Sequence, residues 1–341
     1  MAGRTPLSAT VLICTYNRAD LLRHTLAALR RVRSARPWDV LVVDNNSTDS
    51  THQVVEQNVP LMPVPLRYLF EPRQGKSHAL NTGMDQSSGA IIVFTDDDVR
   101  VGPRWLDAAC APLDEDAAID YTGGPVRPLW AVAPPRWLDQ TRGDLWGTLA
   151  ILDYGVEPFL FEERKRVPLG VNMAVRRGLV DRIGGFHTGL GRRGRTLLGQ
   201  EQQEFFSRAR TAGARGLYVP WMELHHHVPA ARLTKRYFRR WWFWKGIARA
   251  RVDSMHRRTE LGLDLSLVPY VARVPRFIWG LAPRAVLKWA RAIHLGDRQT
   301  ATRHEMECAY VLGYIRACWS RGASRSLEPA GTQREPASVS R

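Results

Sequence analysis

Cysteine is scarce. The chain has four in 341 residues, at positions 14, 110, 308 and 318. Their spacing matches no metal site, and Cys14 sits in an apolar run that reads as core. This fits free thiols in a reducing compartment, as in the cytoplasm. No run of about 18 consecutive apolar residues occurs, which argues against a spanning helix. The first apolar run, 9–14, is too short for a signal peptide. There is no internal repeat. Acidic residues are in deficit: 33 Asp and Glu face 49 Lys and Arg, for a net charge of +16. Most of the imbalance lies in residues 232–298, with 16 basic against 4 acidic side chains. The tail, 327–341, is rich in Ser, Pro, Glu and Gly and reads as disordered.

What is present alternates. Residues 9–14, 40–43, 66–70 and 90–95 read as strands, and 216–219 as a later one. Between them, 19–32 carries leucines at 21, 22, 26 and 29, a helical stripe. Residues 50–57, 76–85, 105–113 and 201–212 also read as helices. Strands and helices alternating at short intervals predict a parallel, doubly wound α/β sheet. A chain of this length can hold one large domain and an appendage. From 121 to 166 the pattern breaks, because prolines at 125, 128, 134, 135 and 158 interrupt regular elements. Such segments commonly carry lids or acceptor-binding loops.

Polar clusters stand at three strand ends. Thr15-Tyr16-Asn17-Arg18 follows the first strand, and Asp44-Asn45-Asn46-Ser47-Thr48-Asp49 the second. Asp96-Asp97-Asp98 follows Ile91-Ile92-Val93-Phe94-Thr95. In open α/β sheets, ligands bind outside the carboxyl ends of the strands. Adjacent carboxylates repel unless a cation lies among them, and oxygen-rich sites suit Mg²⁺ or Mn²⁺ shared with phosphates. Turn and helix-cap chemistry is the plainer reading of each cluster alone. Gly75-Lys76-Ser77 is not a phosphate loop, because Phe70 stands where that motif needs glycine. Lys76 reads either as a point charge for a phosphate or as a solvated helix-start lysine. Glu201 and Glu204 fall on one helical face, as a general base or as charges complementing the helix dipole. The run His225-His226-His227 follows a strand and offers a metal ligand or catalytic group.

Taken in order, these pieces resemble family 2 glycosyltransferases of the GT-A fold. The resemblance rests on Cys-Thr-Tyr-Asn-Arg at 14–18 and Val-Val-Asp-Asn-Asn-Ser-Thr-Asp at 42–49. Further pieces are Gln-Gly-Lys-Ser-His-Ala-Leu-Asn at 74–81, Phe-Thr-Asp-Asp-Asp at 94–98, Gly-Gly-Phe at 184–186 and Gly-Gln-Glu-Gln-Gln-Glu-Phe at 199–205. It covers about residues 8–240 and implies an α/β, Rossmann-like, mostly parallel doubly wound sheet with a helical basic C-terminal extension. Its implied bounds are a catalytic domain at 1–230, with a nucleotide-sugar half at 8–120 and an acceptor half at 121–230. A basic, aromatic, mainly helical region at 231–326 and the tail follow.

The resemblance also implies roles. Thr15, Asn17, Arg18, Asp44, Asn46, Lys76, Asp96 and Asp97 are the nucleotide-binding candidates. Asp96, Asp98 and His226 are the candidates for Mn²⁺ or Mg²⁺. Glu201 matches the family's acidic pair near the acceptor, with Glu204 as the alternative base. The second member of that pair is Gln202 here, and an amide takes no proton at neutral pH. The implied reaction is inverting transfer from a nucleotide-sugar, a UDP-sugar first, to a hydroxyl of a glycan, lipid-linked sugar or small molecule. Two other readings stay open at this point: a nucleotidyltransferase, and a non-catalytic binding protein on a degenerate scaffold.

The stretch 235–245 reads Lys-Arg-Tyr-Phe-Arg-Arg-Trp-Trp-Phe-Trp-Lys, and 268–293 adds Trp279, Trp289 and several arginines. Tryptophan favours membrane interfaces, and Lys and Arg favour anionic lipid. An amphipathic helix at the inner membrane face is one reading. A basic-faced cap packed on the catalytic domain is the other. Nucleic acid is disfavoured, because no binding module matches and the acidic rim opposes it.

Overall fold

The computed structural model describes residues 6–138, 143–164, 166–259 and 262–320; the tail 327–341 lies outside them. The chain begins with β1 (Ala9–Thr15), α1 (Ala19–Leu29), β2 (Trp38–Asp44), α2 (Thr51–Asn58), β3 (Leu66–Phe70), α3 (Lys76–Gln86) and β4 (Ile91–Asp96). Then come β5 (Val99–Val101), α4 (Trp105–Glu115), β6 (Tyr121–Gly123), β7 (Val126–Trp130), β8 (Phe159–Leu160), β9 (Asn172–Arg176) and α5 (Arg177–Ile183). The remainder is α6 (Glu201–Thr211), β10 (Gly216–Tyr218), β11 (Leu224–Val228), α7 (Lys235–His256), α8 (Arg276–His294) and α9 (Arg298–Ser320).

The main sheet runs β3-β2-β1-β4-β9-β6-β10-β8. Its first four strands are mutually parallel, as the alternation predicts. Val11, Leu12 and Ile13 of β1 and Ile91, Ile92 and Val93 of β4 are fully buried, because helices cover both faces. The sheet is mostly parallel, as expected; β9 is an exception, running antiparallel to both β4 and β6. β9 carries only the three-residue apolar run Met173-Ala174-Val175 and is seated between β4 and β6.

A second sheet, β5-β11-β7, branches from the first. β4 ends at Asp96 and β5 starts at Val99, so Asp97 and Asp98 occupy the turn between two sheets. β7 contains Pro128, which a central strand would reject. As the edge strand it can leave that missing donor facing outward.

The C-terminal helices form a cap. Phe238 of α7 and Met306 of α9 are fully buried in one cluster with Val228 of β11 and Leu149. None of the aromatic residues of α7 is exposed. The packing therefore favours the cap reading for 235–245. α7 and α9 approach so closely that a Cβ added at Gly313 would lie 1.9 Å from the Phe243 carbonyl oxygen. One added at Gly246 would lie 2.0 Å from that of Tyr310. α8 differs. It buries Ile278, Ala285 and Ala292, one residue every seven, while Val286, Leu287, Trp289 and Ile293 stay exposed.

Candidate active site

Register brings the polar clusters onto one rim. Thr15 pairs with Asp44 across β1 and β2, and Cys14 pairs with Asp96 across β1 and β4. The carboxyl ends of three parallel strands thus meet at one level, where the strand run into the aspartates placed them.

Each aspartate of the turn has cationic or hydroxyl company. Lys76, at the start of α3, donates to Asp96 at 2.7 Å. Thr15 donates its hydroxyl to Asp97 at 2.7 Å, and Arg18 donates to Asp97 and to Asp98 at 3.0 Å each. Asp98 also faces Arg232 at 3.5 Å and His226 Nε2 at 3.3 Å. His226 comes from β11, where it lies opposite Val99, and the His227 N–H donates to the Asp98 carbonyl at 2.8 Å. Strand alternation turns His226 inward, at 1% exposure, and His225 outward.

The three carboxyls therefore differ. Burial pushes that of Asp97 up to about 6, against the pull of Arg18. Burial also acts on Asp96, but Lys76 outweighs it and holds the group below the usual range. At Asp98, burial is outweighed by His226, Arg18 and Arg232, and the carboxyl stays ionised well below the usual range.

The residues fit a divalent cation in one way only. Among the described residues no group of three or more His, Cys, Asp or Glu forms a metal cage. Asp98 Oδ1 is buried and has no hydrogen-bond partner, and His226 stands beside it. Asp96 and His226 line a common cavity. Such a set supplies a few ligands and leaves the rest to a substrate's phosphates, the usual habit of Mg²⁺ and Mn²⁺.

Two cavities flank the turn. One, of about 210 Å³, is lined by Thr15, Arg18, Asn45, Gln74, Lys76 and Asp97, with residues 194–197 opposite. The other, of about 260 Å³, is lined by Lys76, Asp96, Glu201, Gln202, His226 and Arg232. Lys76, Arg192 and Leu197 belong to both.

Glu201 opens α6, and Gln200 before it adopts a left-handed conformation with φ of 72°. Glu201 is 6% exposed, and its Oε2 has no hydrogen-bond partner. Burial raises its pKa, with Lys76 opposing. Gln202 packs so tightly on Gly170 that a Cβ there would lie 2.3 Å from its amide nitrogen. Glu204, the alternative base, is not brought to this cavity. Arg208 donates to both its oxygens at 2.8 Å, and His256 approaches at 3.3 Å. Its carboxylate is committed to holding α6 in place.

Of the nucleotide candidates, Thr15, Arg18, Lys76, Asp96 and Asp97 line the cavities. Asn17, Asp44 and Asn46 do not. Asp44 accepts from the Ser47 N–H and the Tyr68 hydroxyl, each at 2.9 Å. Asn17 ties the first loop to the second by accepting from Thr48 N–H at 2.7 Å. Asn46 is exposed, with φ of 65°, a conformation asparagine tolerates. These three shape the loops. In their stead Asn45 accepts from the Gly75 N–H at 2.8 Å, and Gln74 donates to the Asn45 carbonyl at 2.5 Å.

Sequence reasoning missed Arg192 and Arg232. The first sits in the Gly191-Arg192-Arg193-Gly194-Arg195 run, whose glycines mark a loop with an exposed basic edge. The second follows the histidine strand by a single turn and carries no local signal.

The family described as glycosyl transferase family 2 matches residues 10–184. The chain is similar to the succinoglycan biosynthesis protein ExoM of Rhizobium meliloti (strain 1021), at 31% identity over 235 residues. The match covers 67% of this chain and 71% of that protein. It is 28% identical over 181 residues to the glycosyltransferase AglE of Haloferax volcanii, covering 52% of this chain and 55% of the relative. The chain thus spans about half the length of AglE. Among solved structures, the mannosyltransferase PcManGT of Pyrobaculum calidifontis, in complex with GDP-Man and Mn²⁺, superposes with a TM-score of 0.61. Identity is 20%, and the overlap covers 92% of this chain and 87% of the other.

Proposed function

The chain belongs to glycosyl transferase family 2, a glycosyltransferase with the GT-A fold, and on that premise we propose an inverting, metal-dependent transfer from a nucleotide-sugar to a hydroxyl acceptor. One observation carries the reading. Two cavities meet at Lys76 and Arg192, with Thr15, Arg18 and Asp97 in one and the unpaired carboxylate oxygen of Glu201 in the other.

The nucleoside lies in the first cavity, against Thr15, Arg18, Asn45 and Asp97. The diphosphate crosses the junction, where Lys76 and Arg192 supply positive charge. The sugar enters the second cavity. Glu201 takes the proton of the acceptor hydroxyl as its oxygen bonds to the anomeric carbon. The bond from that carbon to the phosphate oxygen breaks, the nucleoside diphosphate leaves with the electron pair, and the anomeric configuration inverts. Asp96, Asp98 and His226 would hold Mn²⁺ or Mg²⁺, which when bound stabilises charge developing on the departing diphosphate. Gln202 cannot serve as base, and its packing on Gly170 supports a wall role.

UDP-sugars are the first donors to test. GDP-mannose is the second, because PcManGT was solved with GDP-Man and Mn²⁺. Among the described residues no helix is long and apolar enough to cross a membrane. We place the enzyme in the cytoplasm. α8 carries four basic and no acidic residues along an apolar face that includes Trp289, which supports contact with an anionic inner membrane surface. Flotation with anionic but not neutral vesicles would bear that out, and equal behaviour would dismiss it.

The deciding assay is nucleoside diphosphate release from UDP- and GDP-sugars, offered with candidate hydroxyl acceptors, in Mn²⁺ and then in EDTA. Metal-dependent release with one donor, lost in Asp98→Asn, is expected. Release of pyrophosphate instead would indicate a nucleotidyltransferase. Neither turnover nor nucleotide binding in folded protein would favour a degenerate scaffold.

A further inference from the structure

A third cavity, of about 500 Å³, adjoins the second one under the helical cap. Gln200, Gln203 and Lys245 line both, so the third cavity opens beside the residues that flank Glu201 in sequence. Its walls come from the start of α6 and from α7, α8 and α9.

The charge of this cavity is one-sided. Lys245, Arg249, Arg284 and Lys288 line it, and Glu307 is the one carboxylate among its described lining residues. Arg249 is matched by Asp253, to which it donates at 2.6 Å. Glu307 is paired with His304 at 2.8 Å and lies 3.6 Å from Arg303. Lys245, whose ammonium lies 4.4 Å from the Trp242 ring, joins Arg284 and Lys288 in setting the sign. Cations converging on a roomy cavity repel one another and are stabilised by an anion between them. Guanidinium and ammonium together suit phosphoryl oxygens.

The donor's diphosphate does not account for this charge. Lys76 and Arg192, at the junction of the other two cavities, already serve that end, and neither lines the third cavity.

We infer that the third cavity binds the phosphoryl group of an anionic acceptor, a sugar carrying phosphate or diphosphate, while the acceptor's hydroxyl reaches Glu201. The inference rests on the transferase reading and names the acceptor class for it. Lys245 stands between the two cavities and contacts the acceptor at its bend; Arg284 and Lys288 hold the phosphoryl oxygens.

The test titrates inorganic pyrophosphate and farnesyl diphosphate into the full-length protein in EDTA, so that metal-assisted binding at the donor site is removed. The variants are Arg284→Glu with Lys288→Glu and, as a milder pair, Arg284→Ala with Lys288→Ala. Both positions are exposed, and thermal melting confirms that the variants fold. Binding of both probes is expected, weakened about tenfold or more in the glutamate pair, as charge-assisted hydrogen bonds are lost. Tighter binding of farnesyl diphosphate than of pyrophosphate would assign a lipid-linked acceptor, and equal binding a soluble phosphorylated one. No binding, or binding indifferent to both pairs, overturns the inference. UDP and GDP titrated with Mn²⁺ in the same proteins report on the transferase reading separately. Failure there leaves the anion result standing, and success there with failure here removes the acceptor class alone.

Discussion

The rim made by β1, β2 and β4 and the wall made by α6 to α9 face the same space on opposite plans. The rim is acidic and largely buried, and each of its three aspartates has a cationic partner. Asp96 has Lys76, Asp97 has Thr15 and Arg18, and Asp98 has Arg18, Arg232 and His226. The wall is basic, and its one buried carboxylate in the cavity, Glu201, has an oxygen with no partner. Asp96 and Asp98 are held ionised by their cationic partners, while burial raises Asp97 against the pull of Arg18. A carboxylate left bare in a buried site is raised in pKa and can accept a proton at neutral pH. On the proposed function, the contrast gives binding to the rim and proton transfer to the wall.

That division can be broken at its most sensitive point. Glu201→Gln keeps the shape and removes the base. Turnover is expected to fall by about 10²- to 10⁴-fold, the usual worth of a positioned base. The pH profile of the parent enzyme gives the same test without mutation. Burial raises the Glu201 pKa, so the ionised base is present only above that raised value. The acidic limb of kcat should therefore lie above the ordinary glutamate value of about 4.3, and fall away as pH drops through it. A limb at the ordinary value would mean that Glu201 is not the group titrating.

A second change loads the wall without touching the rim. Gly313→Ala would drive a Cβ to within 1.9 Å of the Phe243 carbonyl, forcing α7 and α9 apart. A loss of about 1–3 kcal/mol in stability is expected from such overpacking, read by urea denaturation, with nucleotide binding retained in the folded fraction. Loss of both together would show that rim and cap are one cooperative unit.

The smallest effect is expected on the rim. Tyr68→Phe deletes the hydroxyl that donates to Asp44 at 2.9 Å, while the Ser47 N–H still holds the other oxygen. A cost of about 0.5–1.5 kcal/mol is expected, the net worth of one hydrogen bond. A larger loss would mean that the second loop hangs on that bond.

The same contrast governs how much could be read in advance. β1 and β4 were legible to within a residue, because strands buried on both faces are near-continuous apolar runs; the edge strand β3 at 66–70 was legible to the residue although Arg67 interrupts it. β2 begins at Trp38, two residues before its apolar run. Trp38 and Asp39 pair with Ala9 and Thr10, and the Thr10 hydroxyl and Arg67 hold the Asp39 carboxylate. The aspartate turn was legible as a polar cluster at a strand end. Its pairing was not, because Arg232 lies 134 residues beyond Asp98 and reaches it through the fold of β11. Asp44 was a nucleotide candidate through the family resemblance; in the fold each of its oxygens accepts one bond, from its own loop and from β3. Glu204 shared a helix face with Glu201, but Arg208, one turn on, claims it. The basic third cavity is assembled from four helices, and no stretch of sequence contains it.

The most direct test of the division is nucleoside diphosphate affinity, measured calorimetrically in Mn²⁺ for the parent protein, Asp98→Asn and Glu201→Gln. The account predicts that Asp98→Asn weakens binding by about 10- to 100-fold, as loss of a metal-site group does, while Glu201→Gln binds as the parent does. Equal weakening by both, or no weakening by Asp98→Asn, would contradict it.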